Sequence, residues 1–99
     1  MEIYTIRHKG LRRFVEKNDP SGLPAAAVEK IRAIVSFLEA MGNVEELYAL
    51  PTWRVHRLTG DSKGLWSLSV TRNWRLTFAI DTEENAIIDL DYQDYQDYH

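Results

Sequence analysis

The chain has 99 residues, of which 44% are hydrophobic, and this composition suits one globular domain spanning residues 1–99 rather than a disordered protein. It contains no cysteine, which excludes disulfides and thiolate metal sites, and nothing in it predicts a signal peptide or a membrane span, so we expect a cytoplasmic protein. The formal net charge of −3 argues mildly against a nucleic-acid binder.

The first half of the chain predicts a strand followed by a helical hairpin. The opening MEIYTI has the alternation of a strand, and HKGLRRFVEKN, residues 8–18, has apolar residues at helical spacing. The segment from Pro24 to Gly42 reads as an amphipathic helix with Gly42 as its C-terminal cap. Its apolar stripe comprises Val28, Ile31, Val35 and Leu38. A short helical turn follows, with Asn43 and Glu46 spaced as a capping pair.

The second half of the chain predicts four strands, since the period changes from helical to alternating after Pro51. They are WRVHRL, LWSLSVT, NWRLTFAI and AIIDLDY, residues 53–58, 65–71, 73–80 and 86–92. The short links favour an antiparallel sheet of four to five strands, with one face on the helices. The other face is expected to be open and polar, with Ser67, Ser69, Arg75 and Thr77 on it. The predicted class is therefore α+β.

Positive and negative charges are segregated along the chain. Basic residues crowd the first seventeen positions and the segment from Arg54 to Arg75, whereas no Lys or Arg follows Asp81. A protein that is basic on one side can bind a polyanion despite its net charge. An ordinary solvated charged face explains the same pattern, so this observation leaves both interpretations open. The basic residues of the two segments are Arg7, Lys9, Arg12, Arg13, Lys17, Arg54, Arg57, Lys63, Arg72 and Arg75.

His56 is a candidate general base among the three histidines, because it lies between Arg54 and Arg57 and neighbouring positive charge favours a neutral imidazole. A structural histidine is the more common alternative. No short-range ligand pair predicts a metal site, and neither a nucleophile elbow nor a phosphate-binding glycine loop is present. The remaining cations, imidazoles, carboxylates and aromatic residues suit metal-free cleavage of RNA without selecting it.

The stretch WRVHRLTGDSKGLWSLSVTRNWRLTF, residues 53–78, resembles the signature of the HigB toxins in the RelE/ParE superfamily. RHKGLRRFVEK near the start resembles the opening KHKGL of that family, whose members often end in DYH. The resemblance implies a RelE-like α+β fold and a ribosome-dependent endoribonuclease that cuts mRNA by metal-independent attack of the 2′-hydroxyl. It also implies a cognate HigA-like helix-turn-helix antitoxin, with operator DNA contacted only through that antitoxin, and neither a cofactor nor a membrane.

The resemblance carries site residues onto this chain unevenly. His56 matches the histidine of the family's LHPLKG motif, implied in proton transfer or phosphate contact, and Arg75 matches the arginine of NWRITF, a candidate for phosphate binding. Thr59 stands where the family has the lysine of LKG, so one expected cation is missing. Arg57 and Lys63 are the candidates to replace it. The expected substrate-binding residues are Arg54, Arg57, Lys63 and Arg72.

The C-terminal DYQDYQDYH is one repeat unit longer than the family's DYxDYH. If the extra unit is absorbed by a bulge or by the turn at 81–85, the catalytic residues are Asp97, Tyr98 and His99, and the intact terminal DYH favours this register. If the last strand keeps the family's length, Asp94 and Tyr95 take those places and Gln96 replaces the histidine.

Two further hypotheses stay open at this point. The first is a weakened family member that binds antitoxin or ribosome without cutting RNA, because Thr59 and the lengthened tail depart from the family pattern. The second is a plain interaction domain with a charged surface, which would be indifferent to loss of His56 or Arg75.

Overall fold

The computed structural model describes residues 1–49, 53–58 and 64–95. Its order of elements is the predicted one: a strand, two helices and four further strands. The helices are α1 (Lys9–Lys17) and α2 (Val28–Ala40), with 3-10 turns at Pro20–Gly22, Ala25–Ala27 and Val44–Ala49. The strands are β1 (Glu2–Ile3), β2 (His56–Arg57), β3 (Trp66–Ser69), β4 (Trp74–Asp81) and β5 (Ala86–Asp94).

The five strands form one mixed sheet in the order β1-β5-β4-β3-β2. The β1 strand runs parallel to β5, and the other neighbours are antiparallel. The predicted α+β class and the five-strand sheet are therefore confirmed, and the parallel pairing of β1 makes one edge of this otherwise antiparallel sheet mixed. In the part of the chain that the structure describes, no helix has the length and apolar character needed to cross a bilayer.

Side-chain contacts with the backbone mark the start of α1 and the segment that follows α2. At the start of α1, the Nδ1 atom of His8 accepts a hydrogen bond from the Leu11 N–H at 3.0 Å. The predicted Gly42 cap of α2 is wrong, because the helix ends at Ala40 and Met41 follows in an extended conformation that any residue adopts. Gly42 instead donates its N–H to the carboxylate of Glu46 at 2.7 Å. Asn43 donates its own N–H to the same oxygen at 3.0 Å, which is the backward contact expected of the capping pair.

The hydrophobic core lies between α2 and one face of the sheet. The predicted residues Ile31, Val35 and Leu38 are buried there, together with Ile34. From the sheet, the core receives the side chains of alternate residues on the central strands, as period-2 patterning requires. These include Trp66, Leu68, Leu76, Phe78, Leu90 and Tyr92.

The opposite face of the sheet is not the open polar surface that the sequence predicts. Ser67, Thr77 and Arg75 are 0%, 1% and 4% exposed. The first two are short side chains on the central strands, aligned in one row with His56 on β2 and Asp91 on β5. Alternation therefore assigned the face correctly, but the central positions of that face are buried rather than open to solvent.

A bulge in β5 absorbs one residue of the long C-terminal strand. Pairing shifts between Thr77 opposite Asp91 and Ala79 opposite Ile88. Asp89, within the bulge, has a positive φ of 56° and donates its N–H to the Thr5 hydroxyl at 2.7 Å. Beyond the bulge, regular pairing continues until Asp94 faces Trp74.

Candidate active site

A cavity of about 600 Å³ opens beside the ends of β2, β3 and β5. Three of the described lining residues, Lys30, Arg54 and Arg72, are cations, and none of the described lining residues is acidic. A cavity of this composition attracts anions and has a size suited to a small ligand or a nucleotide. The full described lining is Lys30, Arg54, His56, Ser69, Thr71, Arg72 and Tyr95.

His56 lies at the exposed edge of this cavity with a defined ring orientation. Its Nδ1 atom is 2.9 Å from the carbonyl oxygen of Arg54. A carbonyl oxygen only accepts, so this hydrogen bond requires the proton on Nδ1. In the neutral ring, Nε2 then carries the free lone pair that a general base needs.

Arg54 adopts a conformation that non-glycine residues rarely take. Its φ is +48°, in the left-handed region, two residues before His56. Strain of this kind is concentrated at functional sites in proteins. Here it accompanies the hydrogen bond between the Arg54 carbonyl and the His56 ring.

Tyr95 is the last described residue of the chain and lines the same cavity. Its hydroxyl lies 2.6 Å from the hydroxyl of Ser69, and its N–H donates to the Asn73 carbonyl at 2.9 Å. These two contacts connect the end of β5 to β3 and to the β3–β4 turn. They therefore hold a phenolic O–H group on the cavity wall.

Arg75 lies beneath this wall rather than on it. It is 4% exposed, and its guanidinium carbon is 4.6 Å from the centre of the Tyr95 ring. The described cavity lining does not include it. The structure thus brings the predicted catalytic arginine next to the site through Tyr95.

Trp74, which the sequence analysis did not place in the site, packs in an aromatic cluster on the other side of the sheet. It stacks on Tyr92 at a centroid distance of 4.7 Å, and His8 meets the same Tyr92 ring edge-on at 5.6 Å. Burial raises the pKa of the Tyr92 phenol above its ordinary 10.0. His8 is therefore a structural histidine that caps α1 and contacts this cluster.

The remaining predicted substrate-binding residues divide into two groups. Arg54 and Arg72 line the cavity, whereas the Arg57 guanidinium lies 5.2 Å over the Trp66 ring on the opposite side of β2 from His56. Several expected residues lie outside the described part of the chain, and their roles stay predictions. These are Thr59, Lys63, Gln96, Asp97, Tyr98 and His99.

Sequence reasoning missed Lys30, Ser69 and Thr71 as lining residues. Ser69 was assigned to the correct face of the sheet, and that alternation was the available signal for it. Lys30 comes from α2, and no local pattern indicates which strand end a helical side chain meets.

A comparison with known protein families identifies the family of this chain. The family model of the RelE-like toxin of type II toxin–antitoxin system HigB matches residues 4–99. The chain belongs to this family. The toxin is also 34% identical over 97 residues to Endoribonuclease HigB of Proteus vulgaris, which covers 98% of this chain and 99% of that protein. The predicted membership is confirmed, and the relative's name states the enzyme class that the sequence predicted.

Solved structures support the fold of the toxin. YafQ from E. coli superposes with a TM-score of 0.61 at 12% identity, covering 99% of this chain and 98% of that one. The YoeB/ParE toxin from Agrobacterium tumefaciens gives a TM-score of 0.54 at 16% identity, covering 94% and 99%. At these identities the likeness concerns the fold alone, and it confirms the expected RelE-like architecture.

Proposed function

We propose that this toxin is a ribosome-dependent endoribonuclease that cleaves mRNA by metal-independent attack of the ribose 2′-hydroxyl on the adjacent phosphate. Membership of the HigB family supports RNA cleavage. The observation that carries the mechanism is the cavity in which His56, Tyr95 and three cations meet without a described acidic residue. Such a cavity suits a polyanionic substrate.

In the proposed reaction, Nε2 of His56 accepts the proton of the 2′-hydroxyl as its oxygen attacks phosphorus. The bond from phosphorus to the leaving 5′-oxygen breaks, and that oxygen takes a proton from an O–H or N–H group. The Tyr95 hydroxyl is suited to this donation, because Ser69 holds it on the cavity wall. Arg54 and Arg72 stabilise the negative charge that accumulates on the phosphate.

Of the two registers of the C-terminal repeat, we propose the one in which Asp94 and Tyr95 belong to the site. Two observations support it: Tyr95 lines the cavity, and the bulge at Asp89 absorbs one residue, fewer than the three of an extra repeat unit. In this register Gln96 takes the place of the family's histidine. The alternative assignment to Asp97, Tyr98 and His99 remains a prediction that truncation can decide.

The proposed partners follow from the type II system. A HigA-like helix-turn-helix antitoxin would neutralise the toxin and contact operator DNA, and the translating ribosome would present the mRNA in its decoding site. We place this activity in the cytoplasm, where translation occurs.

The test is a cleavage assay on mRNA with and without translating ribosomes, using the full chain and His56→Ala. We expect cleavage only on ribosomes, and a loss of 10²-fold to 10⁴-fold on removal of the histidine, roughly the contribution of a general base. Exposed Lys17 on α1 provides the control, because Lys17→Ala changes the surface away from the cavity. A folded wild-type chain that cuts no mRNA on ribosomes would refute the proposal.

A second candidate is a family member that binds its partners but cuts RNA poorly. It is favoured by Thr59, which replaces a family lysine, and by Gln96 in the proposed register. In this case Thr59→Lys would restore cleavage in an otherwise weak enzyme. Full activity of the natural chain excludes it.

A further inference from the structure

We infer that Lys30 of α2 is a substrate-binding residue that contacts an RNA phosphate and supplies the cation missing at Thr59. The inference deepens the proposed function and rests on it. It assigns a residue from the helical layer to a site whose other described lining residues come from the strands, their ends or the turns next to them.

Lys30 lies on the flank of α2 that borders the cavity. It occupies the first turn of the helix, directly before buried Ile31, and is itself half-buried. A lysine in this position packs its aliphatic stem against the protein while its ammonium group reaches solvent. The lining of the cavity includes this side chain together with Arg54 and Arg72.

The charge of Lys30 is not neutralised by the described part of the protein. The ion pairs found there are Arg13–Asp19 and Arg32–Glu29, so the carboxylate next to Lys30 in sequence is engaged with Arg32. The start of a helix also disfavours a positive charge, because the helix dipole is positive at that end. Lys30 therefore shares a cavity with two arginines. An anion that binds there relieves the repulsion among these positive charges.

Of the other candidates to replace the missing lysine, Arg57 is less well placed than Lys30. The Arg57 guanidinium lies over the Trp66 ring on the far side of β2 from His56, and the described cavity lining does not include it. Lys63 lies outside the described residues. Lys30 is the lysine among the described lining residues.

A phosphate is the ligand that this group fits. An ammonium group is a compact point charge with three donors, which binds phosphate without the planar geometry that a base edge requires. Contact with one phosphate releases about 0.7 counterion from single-stranded nucleic acid, so it is visible as a change in salt dependence.

The test measures binding of a single-stranded RNA oligonucleotide, made uncleavable by 2′-O-methyl groups, to the full chain at several salt concentrations. We expect Lys30→Ala to reduce the slope of log affinity against log salt by about 0.7, a difference of roughly fivefold per tenfold change in salt. Lys30→Arg should restore the slope, and Lys17→Ala removes an equal charge from α1 as the matched control. On ribosomes, Lys30→Ala should raise KM more than it lowers kcat.

The outcomes separate this inference from the proposed function. Suppose that the wild type binds RNA and cuts mRNA on ribosomes. If Lys30→Ala then keeps the wild-type salt slope, or changes it no more than Lys17→Ala does, the role of Lys30 is refuted while the proposed function stands. If the folded wild type neither binds the oligonucleotide nor cuts mRNA, the proposed function fails and the inference fails with it.

Discussion

The buried guanidinium of Arg75 lies 4.6 Å from the centre of the Tyr95 ring, so a residue of β4 supports the residue that directly follows β5. A desolvated cation–aromatic contact of this kind contributes about 2 kcal/mol. It orients the ring while the Tyr95 hydroxyl bonds to Ser69 on β3. Arg75 is thus a positioning residue for a hydroxyl that faces the cavity.

Replacing Tyr95 by phenylalanine separates the hydroxyl from the ring. In Tyr95→Phe the stack on Arg75 is retained, so we expect the free energy of unfolding to fall by only about 1 kcal/mol, the value of one hydrogen bond. If the hydroxyl donates a proton, ribosome-dependent cleavage should fall by about 10²-fold or more. Tyr4→Phe, at a half-exposed tyrosine, is the control. Wild-type cleavage by Tyr95→Phe would remove this hydroxyl from the reaction.

The sequence predicted those parts of the fold that depend on local periodicity. Helical spacing in residues 8–18 and alternation in residues 73–80 correspond to α1 and β4. Burial of Ser67 and Thr77 was missed, because it depends on which side chains share their row across four strands. The bulge was missed for a related reason: Asp89 continues the alternation of AIIDLDY, and the features that reveal the bulge are the pairing with β4 and the contacts with Thr5, both distant in sequence.

In the candidate site too, some residues were predicted from the sequence, whereas others depend on tertiary packing and were missed. His56, Arg54 and Arg72 were predicted as site residues from the motif resemblance, and all three line the cavity. The positive φ of Arg54 leaves no trace in the sequence, because arginine is not a residue that favours the left-handed region. Lys30 reaches the cavity through the packing of α2 beside the sheet, which no local signal encodes.

Truncation of the C-terminal repeat tests the proposed register. A chain that lacks residues 97–99 keeps Asp94 and Tyr95, so we expect mRNA cleavage to stay within a few-fold of the wild type. In the same truncated chain, Gln96→His should increase cleavage, because it restores the family's histidine at that place. Both are measured on translating ribosomes, with thermal unfolding as the check on folding. Loss of cleavage on truncation would instead assign the site to Asp97, Tyr98 and His99.

The backbone of Arg54 can be tested separately from its charge. A left-handed conformation costs a residue with a Cβ atom about 1 kcal/mol more than it costs glycine. We therefore expect Arg54→Gly to be more stable in urea unfolding than Arg54→Ala by roughly this amount, while both lose the guanidinium and cut mRNA equally poorly. At Arg57, in the regular β2 strand, we expect the reverse: Arg57→Ala should be more stable than Arg57→Gly. Equal stabilities of Arg54→Gly and Arg54→Ala would show that the left-handed backbone at position 54 is not strained.

Gly10 is required by the close approach of α1 to the turn at Pro20–Gly22. A Cβ atom at Gly10 would lie 2.7 Å from the carbonyl carbon of Gly22 and closer still to its oxygen. Glycine to alanine in an exposed helix stabilises by about 1 kcal/mol, but here we expect a loss of 1–3 kcal/mol, roughly the cost of overpacking.

Thermal unfolding measures the effect of Gly10→Ala, since each 1 kcal/mol lowers Tm by about 4–8 °C in a chain of this size. Gly42→Ala is the matched control, because its Cβ would meet only the flexible Glu46 carboxylate at 3.3 Å. A Tm that rises in Gly10→Ala would show that the two backbones do not approach so closely.

Tyr92 makes the stability of the toxin depend on alkaline pH. Burial against Trp74 disfavours the phenolate, so the pKa of Tyr92 is raised above the ordinary 10.0 that it has in the unfolded chain. The contribution to stability is therefore complete below pH 10.0 and is lost as pH rises through the raised pKa of the folded state, with a slope of at most about 1.4 kcal/mol per pH unit. In urea unfolding between pH 8 and pH 11, roughly the range in which tyrosine ionises, Tyr92→Phe should abolish this alkaline loss of stability. Tyr4→Phe, at a half-exposed tyrosine, is the control and should leave this pH dependence unchanged. If Tyr92→Phe retained the full alkaline loss of stability, its source would lie in other groups.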